Sequence, residues 1–380
     1  MPEQNKTYRI FLSAAEPSGD AHCAGLINAL KQSTYDIDFV GVGGQKMAEA
    51  GCKLIETTTT KAAMMYKAFR HVFHFYKLIK RITSFLKSNN VDLVIVCDSP
   101  AFNFHVAKAA KKANIKTLFY IAPQLWAWAG WRIVKLRKYC DKLCCGLPFE
   151  QEWFSKRGID VVFVGNPMLD QLDLDLTTCR KQYADFEPEN ACFALMPGSR
   201  PAEIGALWVP MQEIAVRLKQ KYANADFTAV AVDADRREVL EASKIPGFEC
   251  KYAIASVNDA AQAADFAIVA SGSATLQVAA AGCPMVIMYQ SSRVLWHLVG
   301  RWIVRTKYLS LVNILAGKEL VPEFMPYFGS IEPILGAMEG FLADREGLVR
   351  VSGELVELVR PLAENKACEQ VGQKVVEMLP

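Results

Sequence analysis

Short apolar runs alternate with longer amphipathic stretches along the first half of the chain. Short runs bounded by turn residues predict buried strands, and the stretches between them have the spacing of helices. The predicted strands span residues 8–13, 38–42, 93–97, 117–121, 142–147 and 161–164. The predicted helices span residues 20–31, 45–50 and a long region at 60–88. Strands separated by helices indicate βαβ units and a parallel sheet.

The same alternation restarts in the second half of the chain. After a polar, acidic stretch at residues 170–190, further strands are predicted at 192–196, 226–232, 266–269 and 285–288. We therefore expect an α/β protein of two Rossmann-like, doubly wound domains, residues 1–172 and 173–349, facing each other across a cleft. The helical stretch from about residue 350 to 380 is expected to pack back on the first domain. Because ligands bind at the carboxyl ends of parallel strands, the cleft is the expected site.

Composition and charge narrow the possible functions. The 380 residues are enough for two domains. Hydrophobic residues make up 52% of the chain, which excludes a disordered protein. A net charge of +3 is lower than expected for a dedicated nucleic-acid binder. The 11 cysteines form no CxxC pair and no zinc-like cluster, so we expect reduced thiols, many of them buried. No apolar run reaches the roughly 18 residues of a membrane-spanning helix, and the N-terminus does not resemble a secretory signal, so membrane contact is expected to be peripheral.

Two turns of the first half carry candidate acidic chemistry. The sequence AAEPSGD at residues 14–20 is compatible with an ordinary βα turn, in which Ser18 or Asp20 caps the next helix, and with a loop that lines the cleft. The sequence CDSPAFN at residues 97–103 ends an apolar strand. Its Asp98 is a candidate general base, because an acid at the carboxyl end of a strand faces the cleft; the alternative is a helix cap.

Three tryptophans within six residues distinguish the sequence APQLWAWAGWR at residues 122–132. Trp126, Trp128 and Trp131 are compatible with an apolar wall for a greasy or sugar-bearing substrate, and also with ordinary packing of the loop. Two other segments, residues 64–81 and 296–308, interleave aromatic with basic residues. Each is compatible with a helix lying on an anionic membrane surface or packing on its own domain.

Two turns of the second half suit anions. In MPGSRPAEI at residues 196–204, a Gly–Ser turn with Arg200 leads into a helix, where backbone N–H groups and a guanidinium favour phosphate. In ASGSATLQ at residues 270–277, small residues allow close approach of a diphosphate to the backbone. The alternative for the first turn is a capped βα turn with a solvated Arg. The apolar segment at residues 308–319 contains Asn313 and Lys318, but its periodicity alone predicts a buried helix.

Ten segments of the chain occur in the order found in one family. Together, from Ser13 to Glu323, they make the sequence resemble the lipid A disaccharide synthases, which are inverting glycosyltransferases of the GT-B fold. The segments are SAAEPSGD, GVGGQKM, CDSPAFN, APQLWAW, GLPFE, FVGNP, LMPGSRPAEI, VASGSATLQ, CPMV and YLSLVNILAGKELVPE.

The resemblance implies the reaction and its setting. UDP-2,3-diacylglucosamine would donate its sugar to 2,3-diacylglucosamine 1-phosphate (lipid X), giving a β-1,6-linked disaccharide 1-phosphate and UDP, with no metal or organic cofactor. The protein would be cytoplasmic and peripherally associated with the inner membrane. No nucleic-acid partner is expected, and the oligomeric state stays open.

The resemblance also implies roles for individual residues. Asp98 would be the general base on the acceptor 6-hydroxyl, Arg200 would neutralise the leaving diphosphate, and Asn313 would line the active site. The turn at residues 271–275 would hold UDP. The substrate-binding residues that it implies are Glu16, Ser18, Gly19, Asn103, Gln124, Trp126, Gly198, Ser199, Glu203, Ser271, Gly272, Ser273, Thr275, Gln277 and Lys318.

Some positions depart from the pattern of the family. Ala101 stands in place of a second Asp, so Asp98 is the sole acid of its motif, and Asn166 replaces a His. Gln277 replaces an acid that binds ribose hydroxyls in related folds. Two other interpretations therefore stay open: another two-domain UDP-sugar enzyme, such as an N-acetylglucosaminyltransferase or a UDP-sugar 2-epimerase, and an inactive paralogue that binds lipid or nucleotide. The presence of Asp98, Arg200 and Asn313 argues against the inactive paralogue.

Overall fold

The computed structural model describes residues 6–58, 68–170, 172, 179, 181–300, 302, 304 and 306–380, without the side chains of residues 68–73, 295 and 299. The chain forms two compact units, residues 1–171 with 362–380, and residues 172–361. Each unit contains one parallel sheet with helices between successive strands. The predicted fold class of two Rossmann-like α/β domains is thereby confirmed.

The sheet of the first unit has the strand order β3-β2-β1-β4-β5-β6-β7 in the described residues. Its strands are β1 Tyr8–Ala14, β2 Ile37–Gly43, β3 Lys53–Thr57, β4 Leu93–Cys97, β5 Lys116–Tyr120, β6 Lys142–Cys145 and β7 Val161–Phe163. Its helices before the second unit are α1 Pro17–Leu30, α2 Gln45–Glu49, α3 Ala68–Ser88, α4 Pro100–Lys112, the 3₁₀ turn Gly130–Arg132, α5 Ile133–Tyr139 and α6 Pro148–Ser155. Gly41 is required in β2, because a Cβ there would lie 2.1 Å from the carbonyl oxygen of Leu12.

The sheet of the second unit has the order β10-β9-β8-β11-β12-β13 over the residues described. Its strands are β8 Cys192–Met196, β9 Asp226–Ala231, β10 Lys251–Ile254, β11 Phe266–Ala270, β12 Met285–Met288 and β13 Glu323–Phe324. Its helices are the 3₁₀ turn Pro188–Asn190, α7 Pro201–Lys221, α8 Ala234–Ala242, α9 Val257–Ala263, α10 Ala274–Ala280, α11 Arg293–Leu295, the π-helical turn Trp296–Gly300, α12 Leu311–Ala316, α13 Glu332–Ala343 and α14 Arg345–Glu364.

The chain ends on the first unit with a helix, α15 Ala367–Met378. Val371 and Val375 of α15 share a buried cluster with Leu26 and Leu30 of α1. The Asp170 carboxylate accepts the N–H groups of Ala367 and Cys368 at 3.0 and 2.8 Å, so it caps the start of α15. Burial and this cap hold the C-terminal helix on the first unit.

The predicted strands all occur, within one to two residues at their ends. Three strands were missed, namely β3, β10 and β13. β3 and β10 are edge strands of partly exposed residues, and β13 has two residues, so none carries an apolar run. Of the long helical region predicted at 60–88, α3 covers residues 68–88, and residues 60–67 lie outside the described residues.

Three further features bear on the predictions. No helix among the described residues is long and apolar enough to span a membrane. In the same part of the chain, no group of three or more His, Cys, Asp or Glu side chains is arranged to hold a metal ion. Six of the 11 cysteines are buried, and the sequence predicted many buried thiols.

Candidate active site

The carboxyl ends of three adjacent strands in the first unit bring the predicted acidic and aromatic motifs together. Ala14 pairs with Cys97, and Cys97 pairs with Tyr120, at the last residues of β1, β4 and β5. The turns after these strands therefore leave the sheet side by side. They carry the AEPSGD loop, Asp98 and the tryptophan loop in that order.

Asp98 lies in a strained turn immediately after β4. Asp98 and Ser99 have φ angles of 50° and 41°, in the left-handed region that non-glycine residues rarely adopt. The N–H of Asp98 donates to Tyr120 O at 3.1 Å, and α4 begins at Pro100. Ser99 precedes α4 without a capping side-chain hydrogen bond. Strain of this kind, on the order of 1–3 kcal/mol per residue, is typical of sites where the direction of a side chain matters.

Asn103 fixes this turn from inside the protein. Its side chain is fully buried, and its amide nitrogen donates to Cys97 O at 2.7 Å and to Asp98 O at 2.8 Å. Its amide oxygen accepts the Ser13 hydroxyl at 2.7 Å. The amide thus joins the ends of β1 and β4, and a substrate could reach it only by displacing these partners. Asn103 thus supports the turn of Asp98, and its predicted contact with substrate stays a prediction.

The AEPSGD loop divides between exposed and buried residues. Helix α1 begins at Pro17, with Glu16 preceding it and Ser18 exposed. Gly19 is buried, and a Cβ on it would lie 3.4 Å from Cys97 O, which is an ordinary van der Waals contact, so its predicted contact with substrate stays a prediction. Neither Ser18 nor Asp20 caps α1, because Glu16 is the residue at that position.

Asp20 instead caps a different helix. Its carboxylate is buried and accepts the N–H groups of Gly44 at 2.7 Å and of Lys46 and Met47 at 3.1 Å, at the start of α2. These contacts tie α1 to the loop after β2. The sequence suggested a capping role for Asp20 but placed it on the wrong helix, since the partner lies 24 to 27 residues away along the chain.

The three tryptophans have different environments. Trp126 is buried, and its indole N–H donates to the Glu150 carboxylate at 2.8 Å. Trp128 and Trp131 are exposed, and Gln124 is exposed as well. An apolar wall of three tryptophans is therefore wrong for Trp126, which packs inside the unit.

Glu150 is the buried acid that the sequence analysis missed. Its other carboxylate oxygen accepts Leu147 N–H at 3.1 Å. Burial raises the pKa of Glu150 to about 7, although the hydrogen bonds from Trp126 and from the backbone of Leu147 and Gly146 act in the opposite direction. The only local signal in the sequence is the acid in GLPFE next to apolar residues.

The second unit also brings its two anion motifs to one edge. Met196 pairs with Val269, and Ala270 pairs with Met288, at the carboxyl ends of β8, β11 and β12. The turn after β8 and the turn after β11 are consequently neighbours. Gly198 has a φ of 99°, which favours glycine, and α7 begins at Pro201.

Glu203 covers the first of these turns. One carboxylate oxygen accepts the N–H groups of Ser199 and Arg200, both at 3.2 Å, and the other lies 3.1 Å from the Arg200 guanidinium. The Arg200 side chain is 72% exposed, whereas that of Glu203 is 14% exposed. The backbone donors expected to bind phosphate are thus occupied by an internal carboxylate.

The second turn is open. Gly272 and Ser273 are exposed, and a Cβ on Gly272 would meet no atom within 4 Å. The buried Thr275 hydroxyl donates to Gly272 O at 2.7 Å, which shapes the turn rather than facing outward. Ser271 is half-buried, as is Gln277 on α10. Among the described residues, no side chain blocks the approach of a ligand to the backbone at Gly272.

Asn313 is fully buried at the start of α12. Its amide nitrogen donates to Val321 O at 2.8 Å and to Glu323 at 3.0 Å, and its oxygen accepts Leu320 and Val321 N–H. Both donors and both lone pairs are used within the protein. Asn313 thus supports the loop after α12, and its predicted place in the active site stays a prediction.

Glu323 completes this network, and the sequence analysis gave it no role. Its carboxylate accepts Leu309 N–H at 2.8 Å and the Ser310 hydroxyl at 2.6 Å. Lys318 is exposed and forms an ion pair with Glu354 at 2.5 Å. The polar residues of this segment therefore hold the loop after α12 in place.

The two predicted membrane segments are partly described. Residues 64–67 and the side chains of 68–73 lie outside the described residues. Tyr76 and Phe75 are exposed, whereas Leu78 is buried and packs on its own unit. In the other segment and just before it, Val294, Leu298 and Trp302 are exposed at a spacing of four residues.

Solved structures resemble this fold at low sequence identity. UDP-GlcNAc 2-epimerase from Neisseria meningitidis, solved with UDP-GlcNAc, has a TM-score of 0.61 and 11% identity, covering 98% of this chain and 99% of that one. The glycotransferase of kitacinnamycin has a TM-score of 0.59 and 13% identity, covering 99% of this chain and 100% of that one. At these identities the likeness shows the fold alone.

The sequence relatives are much closer. A lipid-A-disaccharide synthase from Shigella boydii is 33% identical over 389 residues, covering 100% of each chain. One from Geobacter metallireducens is 31% identical over 377 residues, covering 98% of this chain and 97% of the relative. The family model described as lipid-A-disaccharide synthetase matches residues 10–370. The chain therefore belongs to the lipid-A-disaccharide synthetase family of glycosyltransferases.

Proposed function

We propose that this enzyme transfers 2,3-diacylglucosamine from its UDP derivative to the 6-hydroxyl of lipid X. The bond between the acceptor O6 and the donor C1 forms with inversion, and the bond between C1 and the diphosphate breaks. The acceptor proton passes to a base, and UDP leaves with the bonding electron pair. The proposal rests chiefly on the family match over residues 10–370, which includes every motif with a role in this scheme.

Asp98 is the proposed base. It lies at the carboxyl end of a central strand, and buried hydrogen bonds from Asn103 hold its turn in an unusual backbone conformation. Holding the backbone of Asp98 in this way limits the reorganisation that is needed before its carboxylate accepts a proton. Ala101 leaves it as the sole acid of its motif, so no neighbouring carboxylate competes for the proton within CDSPAFN.

The second unit is the proposed UDP-binding unit. The open turn at Ser271, Gly272 and Ser273 would take the diphosphate, and Gln277 would hydrogen-bond the ribose. Arg200 would neutralise the negative charge that develops on the leaving group. For the backbone of Ser199 and Arg200 to bind phosphate, the Glu203 carboxylate would have to release these N–H groups.

Both substrates carry acyl chains, so the enzyme is proposed to work on the inner membrane from the cytoplasm as a peripheral protein. The exposed residues Val294, Leu298 and Trp302 support a contact in the second unit. Tyr76 and Phe75 support one in the first unit. Each set combines apolar side chains with nearby basic residues, which suits the interface of an anionic bilayer.

The test is a reconstituted reaction. Purified protein is incubated in detergent with UDP-2,3-diacylglucosamine and lipid X, and the products are analysed by mass spectrometry. We expect a disaccharide 1-phosphate and equimolar UDP, with activity unchanged by EDTA. Incubation with the UDP-sugar alone tests the epimerase alternative, which would give an epimerised UDP-sugar. Formation of neither product by a folded protein would support the inactive paralogue.

A further inference from the structure

A short helical face in the first unit combines exposed apolar residues with lysines. The 3₁₀ turn Gly130–Arg132 leads directly into α5. Trp131 is 67% exposed and Val134 is 60% exposed, and Lys135 and Lys138 are exposed beside them. Positions 131, 134, 135 and 138 follow the i, i+3, i+4, i+7 spacing of one helix face. We call these four residues the Trp131 face.

The Trp131 face is held in a defined position. On the opposite side of α5, Leu136 is fully buried. The Arg137 guanidinium donates to Arg157 O at 2.5 Å. The exposed apolar residues therefore sit on an anchored element, and their exposure is not a consequence of a frayed helix.

The chain segment that carries the Trp131 face has charge of one sign. Residues 128–140 contain four basic residues, Arg132, Lys135, Arg137 and Lys138, and no acid. Asp141, the next acid, lies 3.5 Å from Lys111 and accepts Thr117 N–H, so it is engaged on the sheet side. The positive charge near Trp131 and Val134 is thus left to an external anionic surface.

We propose that the Trp131 face docks on an anionic phospholipid bilayer, with Trp131 and Val134 in the interface and Lys135 and Lys138 on the head groups. Tryptophan favours this interface because its ring is apolar and its N–H stays near water. A second copy of the chain is disfavoured as the occupant, because a symmetric contact would bring like charges together.

This inference rests on the proposed function for its lipid substrates, and it adds a surface that the sequence analysis did not assign to the membrane. The tryptophan loop follows β5, the neighbour of the strand that ends at Asp98. Docking through the Trp131 face would therefore bring the bilayer to the same sheet edge as the proposed base. An acyl-chain acceptor would then need to leave the bilayer only partly to reach Asp98.

The test uses the full chain and sedimentation with vesicles of phosphatidylcholine, with or without phosphatidylglycerol. We expect W131S/V134S to bind anionic vesicles at least tenfold more weakly at every salt concentration. K135Q/K138Q should bind more weakly at low salt, by about fivefold per lysine at most, and should show a flatter salt dependence. The matched control is V232S/V239S, which removes two valines of the second unit that are 46% and 47% exposed.

Further measurements separate this inference from the proposed function. Trp fluorescence quenching by brominated lipid should fall in W131F if Trp131 enters the interface. Disaccharide formation in detergent should stay at the parental level in K135Q/K138Q. Absence of product from the parent protein contradicts the proposed function, while vesicle binding still decides the docking surface. A folded W131S/V134S variant that sediments like the parent overturns the inference, as does a variant that changes only self-association in analytical ultracentrifugation.

Discussion

The two units place their candidate residues at equivalent sheet edges but hold them in different ways. In the first unit, buried polar side chains fix the turns, since Asn103 binds the backbone beside Asp98 and Glu150 binds Trp126. In the second unit, the turn of Arg200 is closed by Glu203 through contacts near the surface. The first arrangement fixes a direction, whereas the second leaves a charge that a ligand can displace.

The difference predicts separate consequences for mutation. Buried hydrogen bonds are costly to leave unmade, so changes to the support of the first unit should alter the free energy of unfolding. Exposed ion pairs contribute little to stability, so changes to the turn of the second unit should alter ligand affinity instead. Variants of the first unit test the buried support, and variants of the second unit test the surface contacts.

The largest expected effect is on turnover in Asp98→Asn. A positioned general base contributes about 10²–10⁴ in rate, and Asn keeps the shape of Asp but cannot take the proton. We expect turnover to fall by that factor, with UDP affinity little changed, as measured by disaccharide formation and calorimetry.

Asp92→Asn provides a control for the loss of one acid from the same unit, because Asp92 precedes β4 and its carboxylate accepts the Arg9 N–H of β1, away from the carboxyl edge. Its turnover should stay near that of the parent. Turnover of Asp98→Asn within a few-fold of the parent would show that the base is another group.

Glu150→Gln should change the dependence of stability on pH. The pKa of Glu150 is about 7 in the folded protein against 4.5 in its ordinary state, so the folded state binds the proton more tightly. The stabilisation is complete below pH 4.5 and is lost as pH rises through 7, by on the order of 3 kcal/mol. Urea unfolding at pH 5 and pH 8 should therefore show a smaller decrease in unfolding free energy for Glu150→Gln than for the parent.

Glu152→Gln is the matched control, because Glu152 is an exposed acid on the same helix. Hydrogen bonding to Lys156 lowers the pKa of Glu152, so its titration lies below the range tested. Its variant should keep the parental slope between pH 5 and pH 8. Equal slopes for all three proteins would mean that Glu150 is not the titrating group.

The sequence predicted which motif follows which strand, because apolar runs and turn residues are local signals. For the same reason it placed Asp98, Arg200 and the turn at residues 271–275 directly after strands, as the structure has them. It could not show that Asn103 and Asn313 are buried, since their partners Ser13, Leu320 and Glu323 are defined only by folding. A polar residue inside a matched motif has the same letter whether it contacts substrate or supports a residue that does.

The same limit explains the error over Asp20 and Trp126. Asp20 caps α2 and Trp126 binds Glu150, and both partners lie more than twenty residues away. Local capping rules consider only neighbouring residues, and a count of tryptophans does not distinguish inside from outside. The burial of Asp20 and Trp126 therefore became visible only in the tertiary structure.

Arg200→Ala should affect ligand binding rather than stability. Loss of a charge-assisted contact with the diphosphate should weaken UDP binding by about 1.5–3 kcal/mol. The surface pair with Glu203 contributes little to folding, so the unfolding free energy should change by less than about 1 kcal/mol. Calorimetry with UDP and urea unfolding measure the two quantities. Arg217→Ala, which removes an exposed guanidinium from the same helix, should leave UDP affinity unchanged.

The smallest effect is expected for Glu203→Gln, and it is an increase in UDP affinity rather than a decrease. Its carboxylate occupies the N–H groups of Ser199 and Arg200, so a phosphate must displace a like charge to bind there. Gln keeps an oxygen for these N–H groups but removes the charge. We expect UDP to bind more tightly by on the order of 1 kcal/mol, with little change in stability.

An opposing effect decides how this result is interpreted. Glu203 also lies 3.1 Å from the Arg200 guanidinium and could orient it toward the ligand. Because the Arg200 side chain is largely exposed, that ion pair should be worth less than the repulsion that the ligand meets. Glu213→Gln, an exposed acid on the same helix, measures the general effect of removing one negative charge. If Glu203→Gln weakens UDP binding while Glu213→Gln does not, then Glu203 positions Arg200 for the ligand, and both units fix their charged groups in advance.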